Sequence, residues 1–136
     1  MKPNEIITPD HVRWVLGIEE GLNCSIMIEK NAIRLYSEND GLDSLEMFEW
    51  IEGIAYDPDK GGVILDIHRF IYLAIEKCAA EGWKFIMDVD EFITIWHRIN
   101  GGYERRQDFY LKDYPSWLHA QLAAIAWVYG KIQEGK

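Results

Sequence analysis

The stretch Val63–Ala80, VILDIHRFIYLAIEKCAA, constrains the fold of this chain more than any other. At 3.6 residues per turn its charged residues Asp66, Arg69, Glu76 and Lys77 fall on one narrow arc. The remainder of the circumference is apolar, from Val63, Ile64 and Leu65 through Ile67, Phe70, Ile71, Tyr72, Ala74 and Ile75 to Cys78 and Ala79. A helix apolar over more than half its circumference needs neighbours on two or three sides, so a central helix is expected here. Its charges interrupt it too often for it to span a bilayer. His68 falls inside the apolar arc, between Ile64, Ile75 and Ala79.

The flanking segments supply the expected neighbours. Thr8-Pro9-Asp10 combines an N-cap, a proline at the first helical position and a first-turn acid, opening a helix predicted to run to about Leu22. Cys24–Ser37 reads as a β-hairpin turning at Lys30-Asn31. Pairing Glu29 with Ala32 sets Ile28 opposite Ile33 and Ile26 opposite Leu35 on one face. Met27 and Arg34, and Ser25 and Tyr36, then pair on the other, with Lys84–Met87 as a candidate third strand. Asp43 as N-cap and Glu46 at N3 start a helix predicted to reach Ala55, with Met47, Trp50, Ile51 and Ile54 inward and Glu46, Glu49 and Glu52 outward. Asp88–Ile99 reads as an amphipathic helix burying Val89, Phe92, Ile93, Ile95, Trp96 and Ile99, with Asp88 and Glu91 as an acidic capping box. Tyr103–Asp113 follows as a connector, and Pro115–Ile132 as a last helix with Trp127 projecting from its Ala-rich side. The predicted fold class is therefore α+β but mainly α: about five helices around a central helix (63–81), with one small hairpin (24–37), in a single domain over residues 1–136.

With 49% hydrophobic residues and 136 residues in all, the chain has the apolar content for one real core. Its N-terminus has no apolar leader, and Cys24 and Cys78 read as free thiols of a reducing compartment, so a cytoplasmic protein with no membrane segment is expected. The formal charge of −9 is unevenly placed. Between Leu35 and Asp59 lie Glu38, Asp40, Asp43, Glu46, Glu49, Glu52, Asp57 and Asp59 without one Lys or Arg, which leaves −1 for the rest of the chain. Such a face repels phosphates and attracts a basic partner.

Motifs for chemistry are sparse. No zinc-ligand spacing, Gly-rich phosphate loop, nucleophile elbow or His-Glu-x-x-His occurs, so no catalytic residue, metal or cofactor is assigned. Asp88-Val-Asp-Glu91 fits capping better than a Mg²⁺ or Ca²⁺ site. His68 has no Ser or carboxylate at helical spacing on its face and reads as a core histidine bonded to a carbonyl or a Tyr hydroxyl. His11, His97 and His119 sit on three other elements. Arg105 and Arg106 among Tyr103, Phe109 and Tyr110 have a composition suited to nucleic acid, but Glu104, Asp108 and Asp113 neutralise the segment. Direct nucleic-acid binding is therefore not expected.

Small, acidic, aromatic-rich and bare of catalytic motifs, the chain is similar in general character to bacterial immunity proteins and phage-encoded inhibitors of host defence, a likeness of composition. The expected function is non-enzymatic: the acidic segment 38–59 blocks a basic, nucleic-acid-binding surface of a partner such as a nuclease. Arg105, Arg106 and Trp127 are secondary contact candidates. Two alternatives stand beside it. One is a small enzyme using His68 and nearby carboxylates on a nucleotide or small molecule; the other is a homodimer or assembly component using Leu73 and Trp127.

Overall fold

The computed structural model describes residues 1–88 and 90–136; Val89, assigned above to an inward helical position, lies outside the described residues. The chain divides into two compact units, residues 2–70 and residues 71–136 with Met1, and each builds its own antiparallel sheet.

The first unit contains α1 (Pro9–Leu16), β1 (Cys24–Ile28), β2 (Ala32–Ser37), α2 (Ser44–Phe48), β3 (Ile54–Tyr56), β4 (Val63–Asp66) and the opening of α3 (Ile67–Ala80). Thr8 caps α1, its Oγ1 accepting from the His11 backbone N–H. The helix stops at Leu16 rather than Leu22, because Gly17 takes the left-handed φ of 68° and its N–H returns to Arg13 and Trp14 carbonyls. The β1–β2 hairpin has the register expected, Ile28 opposite Ile33 and Ile26 opposite Leu35, and Glu29 N–H donates to the Ala32 carbonyl at 2.8 Å. It is not a lone hairpin. The strand order is β1-β2-β4-β3, and Ile33, Leu35, Val63 and Leu65 are buried on one face of that sheet. Each such side chain contributes about 2 kcal/mol through the area it removes from water.

The expected central helix is thus two elements. Val63–Asp66 pairs with β2 on one side and β3 on the other, and an interior strand is apolar on consecutive residues for the same reason a buried helix is. Asp66 then caps α3, its Oδ2 accepting from the backbone N–H groups of His68 and Arg69 at 3.0 and 3.4 Å. Only the stripe Ile67, Phe70, Ile71, Ala74 and Cys78 of α3 is buried, and Tyr72 is exposed. Merging strand residues into a helical count produced the wide apolar arc. The helix expected at 43–55 fails likewise: Asp43 caps it, but α2 is one short turn, Ile54–Tyr56 pairs with β4, and Trp50 faces solvent.

In the second unit α3 continues, followed by β5 (Trp83–Asp88), β6 (Phe92–Ile99), β7 (Gly102–Tyr110) and α4 (Trp117–Glu134). The sheet is a meander in the order β5-β6-β7. Lys84–Met87 is a strand of this sheet and not of the first. Phe92–Ile99, expected to be helical, is its central strand, as its β-branched and aromatic residues suit. Asp88 and Glu91 make its turn, the Glu91 N–H donating to the Asp88 carbonyl at 3.1 Å. The supposed connector at 103–113 is mostly β7. A bulge opposite Ile95 and Trp96 leaves Arg106 as an extra residue. Two antiparallel sheets with seven strands and four α-helices among the described residues therefore replace the mainly helical fold.

Candidate functional site

The acidic segment lies wholly in the first unit. Asp57 is committed to structure: Arg34, buried on β2, donates from Nη1 to Asp57 Oδ2 at 2.7 Å and from Nη2 and Nε to Glu29 at 3.1 and 3.3 Å. Arg34 Nη1 also reaches the Gly61 carbonyl at 3.4 Å. Asp57 Oδ1 accepts from the N–H groups of Asp59 and Lys60, closing the β3–β4 turn. The Arg34 hydrogen bond, helped by those two, holds the Asp57 carboxyl below the usual carboxylate range. Glu52 pairs with Arg69 at 3.4 Å. Both compensating cations lie outside the segment in sequence, which is why it looks uncompensated there.

Six carboxylates remain without an ion pair among the described residues: Glu38, Asp40, Asp43, Glu46, Glu49 and Asp59. Glu38 accepts from the Ser25 hydroxyl at 2.7 Å, and Asp43 Oδ1 from the Glu46 N–H at 2.8 Å. The neighbouring Asp43 charge raises the Glu46 pKa above its ordinary value. Because α2 ends at Phe48, Glu46, Glu49 and Glu52 do not form the helical ridge expected. The same stretch exposes large apolar side chains that sequence reasoning had buried or passed over. Leu45 is 45% exposed, Trp50 55% and Tyr56 55%. Trp50 Nε1 donates to the Met47 carbonyl at 3.1 Å, so the exposed indole is held in one orientation.

Of the secondary candidates, Arg106 and Trp127 belong to one cluster in the second unit, and Arg105 does not. Trp83 stacks on His97 at 3.9 Å and 7°, and Arg106, re-aimed by the bulge, lies over Trp83 with its guanidinium carbon 5.4 Å from the ring centroid. Arg106 Nη1 is 3.3 Å from His97 Nδ1. Burial, and then the Arg106 charge, lower the His97 pKa, so the ring stays neutral and accepts that hydrogen bond. Trp127 does not project freely: it meets Trp83 edge-on at 5.7 Å and Phe109 at 6.2 Å, with Lys131 Nζ 5.3 Å over its ring. Arg105 forks onto Asp108 at 3.2 and 2.7 Å and holds that carboxyl below its usual range.

His68 is exposed in the first turn of α3 and not buried in an apolar arc as expected, because the residues before it belong to β4. His119 approaches Ser116 Oγ at 2.6 Å through Nδ1 and the Met1 carbonyl at 2.8 Å through Nε2. His11 meets Thr8 in the same three-residue spacing at the start of α1, so both histidines serve helix caps. Cys24 and Cys78 are free thiols, and burial pushes Cys78 up to about 12. Among the described residues no three His, Cys, Asp or Glu side chains group to hold a metal ion, and no helix is long and apolar enough to cross a membrane. No protein-family model matches the chain, and comparison with curated proteins and with solved structures finds no match.

Proposed function

We propose that the protein is a non-enzymatic binder that covers a basic surface of a partner protein, one that itself holds nucleic acid, through the segment 38–59. One observation carries this reading: the segment that holds the carboxylates left unpaired by Arg34 and Arg69 also exposes Leu45, Trp50 and Tyr56. Charge alone serves solubility as well as binding. A preoriented, exposed Trp in a strongly negative segment is the composition of an interface anchor, since Trp and Tyr supply contact area at little entropic cost while carboxylates steer a basic partner in. The contact set is accordingly Glu38, Asp40, Asp43, Glu46, Glu49 and Asp59 with Trp50. Asp57 acts by shaping the segment, and Glu52, whose side chain stays 88% exposed beside Arg69, belongs to the contact set as well.

The experiment is capture of the partner from the source cell at low salt, followed by its dissociation constant for wild type and variants. Replacing Glu46 and Glu49 by Lys is expected to lower affinity about tenfold or more, chiefly through the association rate and its salt dependence. Trp50→Ala is expected to raise the dissociation rate. A partner whose contact surface is acidic, or constants unchanged in both variants, refutes the proposal.

A further inference from the structure

The second sheet has a face that α4 does not use. Residues alternate between the two faces of a strand. Trp83, Met87 and Phe109 face α4, as the contacts of Trp127 with Trp83 and Phe109 and of Gln121 Nε2 with Met87 Sδ (3.6 Å) show. The opposite face consists of three cross-strand rows: Asp88–Phe92–Tyr110, Ile86–Thr94–Asp108 and Lys84–Trp96–Arg105, with Arg98 beside Tyr103 beyond them. The bulge at Arg106 decides this composition. It shifts the alternation by one, so Tyr103 and Arg105 lie on this face where Glu104 and Arg106 would otherwise lie.

Tyr103 and Tyr110 are 48% and 44% exposed, and each has a cation over its ring: Lys84 Nζ at 5.5 Å and Lys112 Nζ at 5.7 Å. Taken along the chain, the segment around Arg105 is neutral. The face is not, because β5 and β6 bring Lys84 and Arg98 to it. In the strand rows Lys84, Arg98 and Arg105 stand against Asp88 and Asp108, and Arg105 and Asp108 neutralise each other. Lys112, next to Asp113 in sequence, reaches the Tyr110 end.

We propose that this face binds single-stranded nucleic acid, with bases stacked on Tyr103 and Tyr110 and phosphates held by Lys84, Arg98 and Lys112. The inference is independent of the acidic segment. Aromatic rings interleaved with mobile cations match the alternation of base and phosphate, and the lysines leave the rings for phosphates as bases arrive. A duplex hides its base faces from such a platform. Tyr103 and Tyr110 both lie on β7, opposite Arg98 and Phe92 six residues apart on β6. About 20 Å of strand therefore separates the two rings, room for about three or four nucleotides of an extended single strand.

The test is fluorescence anisotropy of a labelled ten-nucleotide oligothymidylate, with a duplex of equal length as comparison. Wild type is expected to bind saturably at low salt, with log affinity falling against log salt at a slope of about −2 for three phosphate contacts. Tyr103→Ala and Tyr110→Ala are each expected to weaken binding about fivefold or more. The double variant Lys84→Gln, Arg98→Gln is expected to flatten the slope to about −0.7. All four side chains are exposed, and an unchanged circular dichroism spectrum verifies that the variants fold. Absence of binding at low salt, equal binding of duplex, or indifference to both tyrosine substitutions overturns the proposal. So does sedimentation showing a wild-type dimer that the tyrosine variants dissolve while no oligonucleotide binds, which would make the face a contact between copies.

Discussion

Gly62→Ala probes the geometry that sets the acidic turn against the sheet. Gly62 has φ +79°, and an added Cβ would lie 2.9 Å from the Leu35 carbonyl oxygen and 2.9 Å from the Tyr36 ring. The left-handed conformation alone costs an alanine about 1–2 kcal/mol. The ring can swing aside, but the Leu35 carbonyl is backbone, next to the Leu35–Val63 pairing of β2 with β4. Relieving that contact adds about 1–3 kcal/mol. The expected loss is therefore about 3 kcal/mol, or about 10 °C in melting temperature for a chain of this size. Gly17→Ala is the control, since Gly17 has φ +68° with nothing within 4 Å of the added atom. Strain acts there alone and is partly offset by the stiffer unfolded chain, so about 1 kcal/mol is expected. Both glycines belong to the unit 2–70, and urea midpoints by circular dichroism give the comparison. Equal losses in the two variants would refute the steric argument. Because Asp57 N–H donates to the Gly62 carbonyl at 3.2 Å, Gly62→Ala is also expected to loosen the Asp57–Arg34 pair.

Arg34→Met leaves Asp57 and Glu29 facing an apolar side chain and is expected to cost about 3 kcal/mol at pH 7, the range for removing one partner of a buried ion pair. Its pH dependence has a definite sign. The Asp57 carboxyl is lowered in the fold, so its stabilisation is present above the ordinary carboxylate pKa of about 4 and is lost as pH falls through the lower folded value. Below pH 4 the variant is therefore expected to lose less further stability than wild type in acid titrations. Asp43→Ala removes the cap of α2 and is expected to cost about 1 kcal/mol in denaturant unfolding, where Asp43→Ser costs little. Arg106→Ala removes a charge that depresses His97, so NMR titration should show the His97 pKa moving up while remaining below its ordinary value through burial. In wild type that depression means stability declines as pH falls from about 6.5 through the folded value, because the unfolded chain takes the proton more readily.

Local chemistry determined what local contacts can decide. The hairpin at 24–37 has its predicted register because each face holds matching apolar or polar pairs, and a slip of one residue would invert them all. Thr8 and Asp43 cap helices because a short oxygen-bearing side chain three residues before a free N–H suffices. The concentration of acid between Glu38 and Asp59 is equally a property of the chain itself. Tertiary structure decided the rest. A consecutive apolar run such as Val63–Leu65 suits a buried helix or an interior strand, and only the presence of β2 and β3 on either side selects the strand. Phe92–Ile99 is a strand for the same reason, held between β5 and β7. The electrostatics of both candidate surfaces were also non-local. Arg34 takes Asp57 out of the acidic segment and Arg69 partly offsets Glu52, while Lys84 and Arg98 turn a neutral stretch into a positive face. Charge along a chain is summed over neighbours in sequence, whereas a partner meets the charges that strand pairing and a single bulge bring together in space.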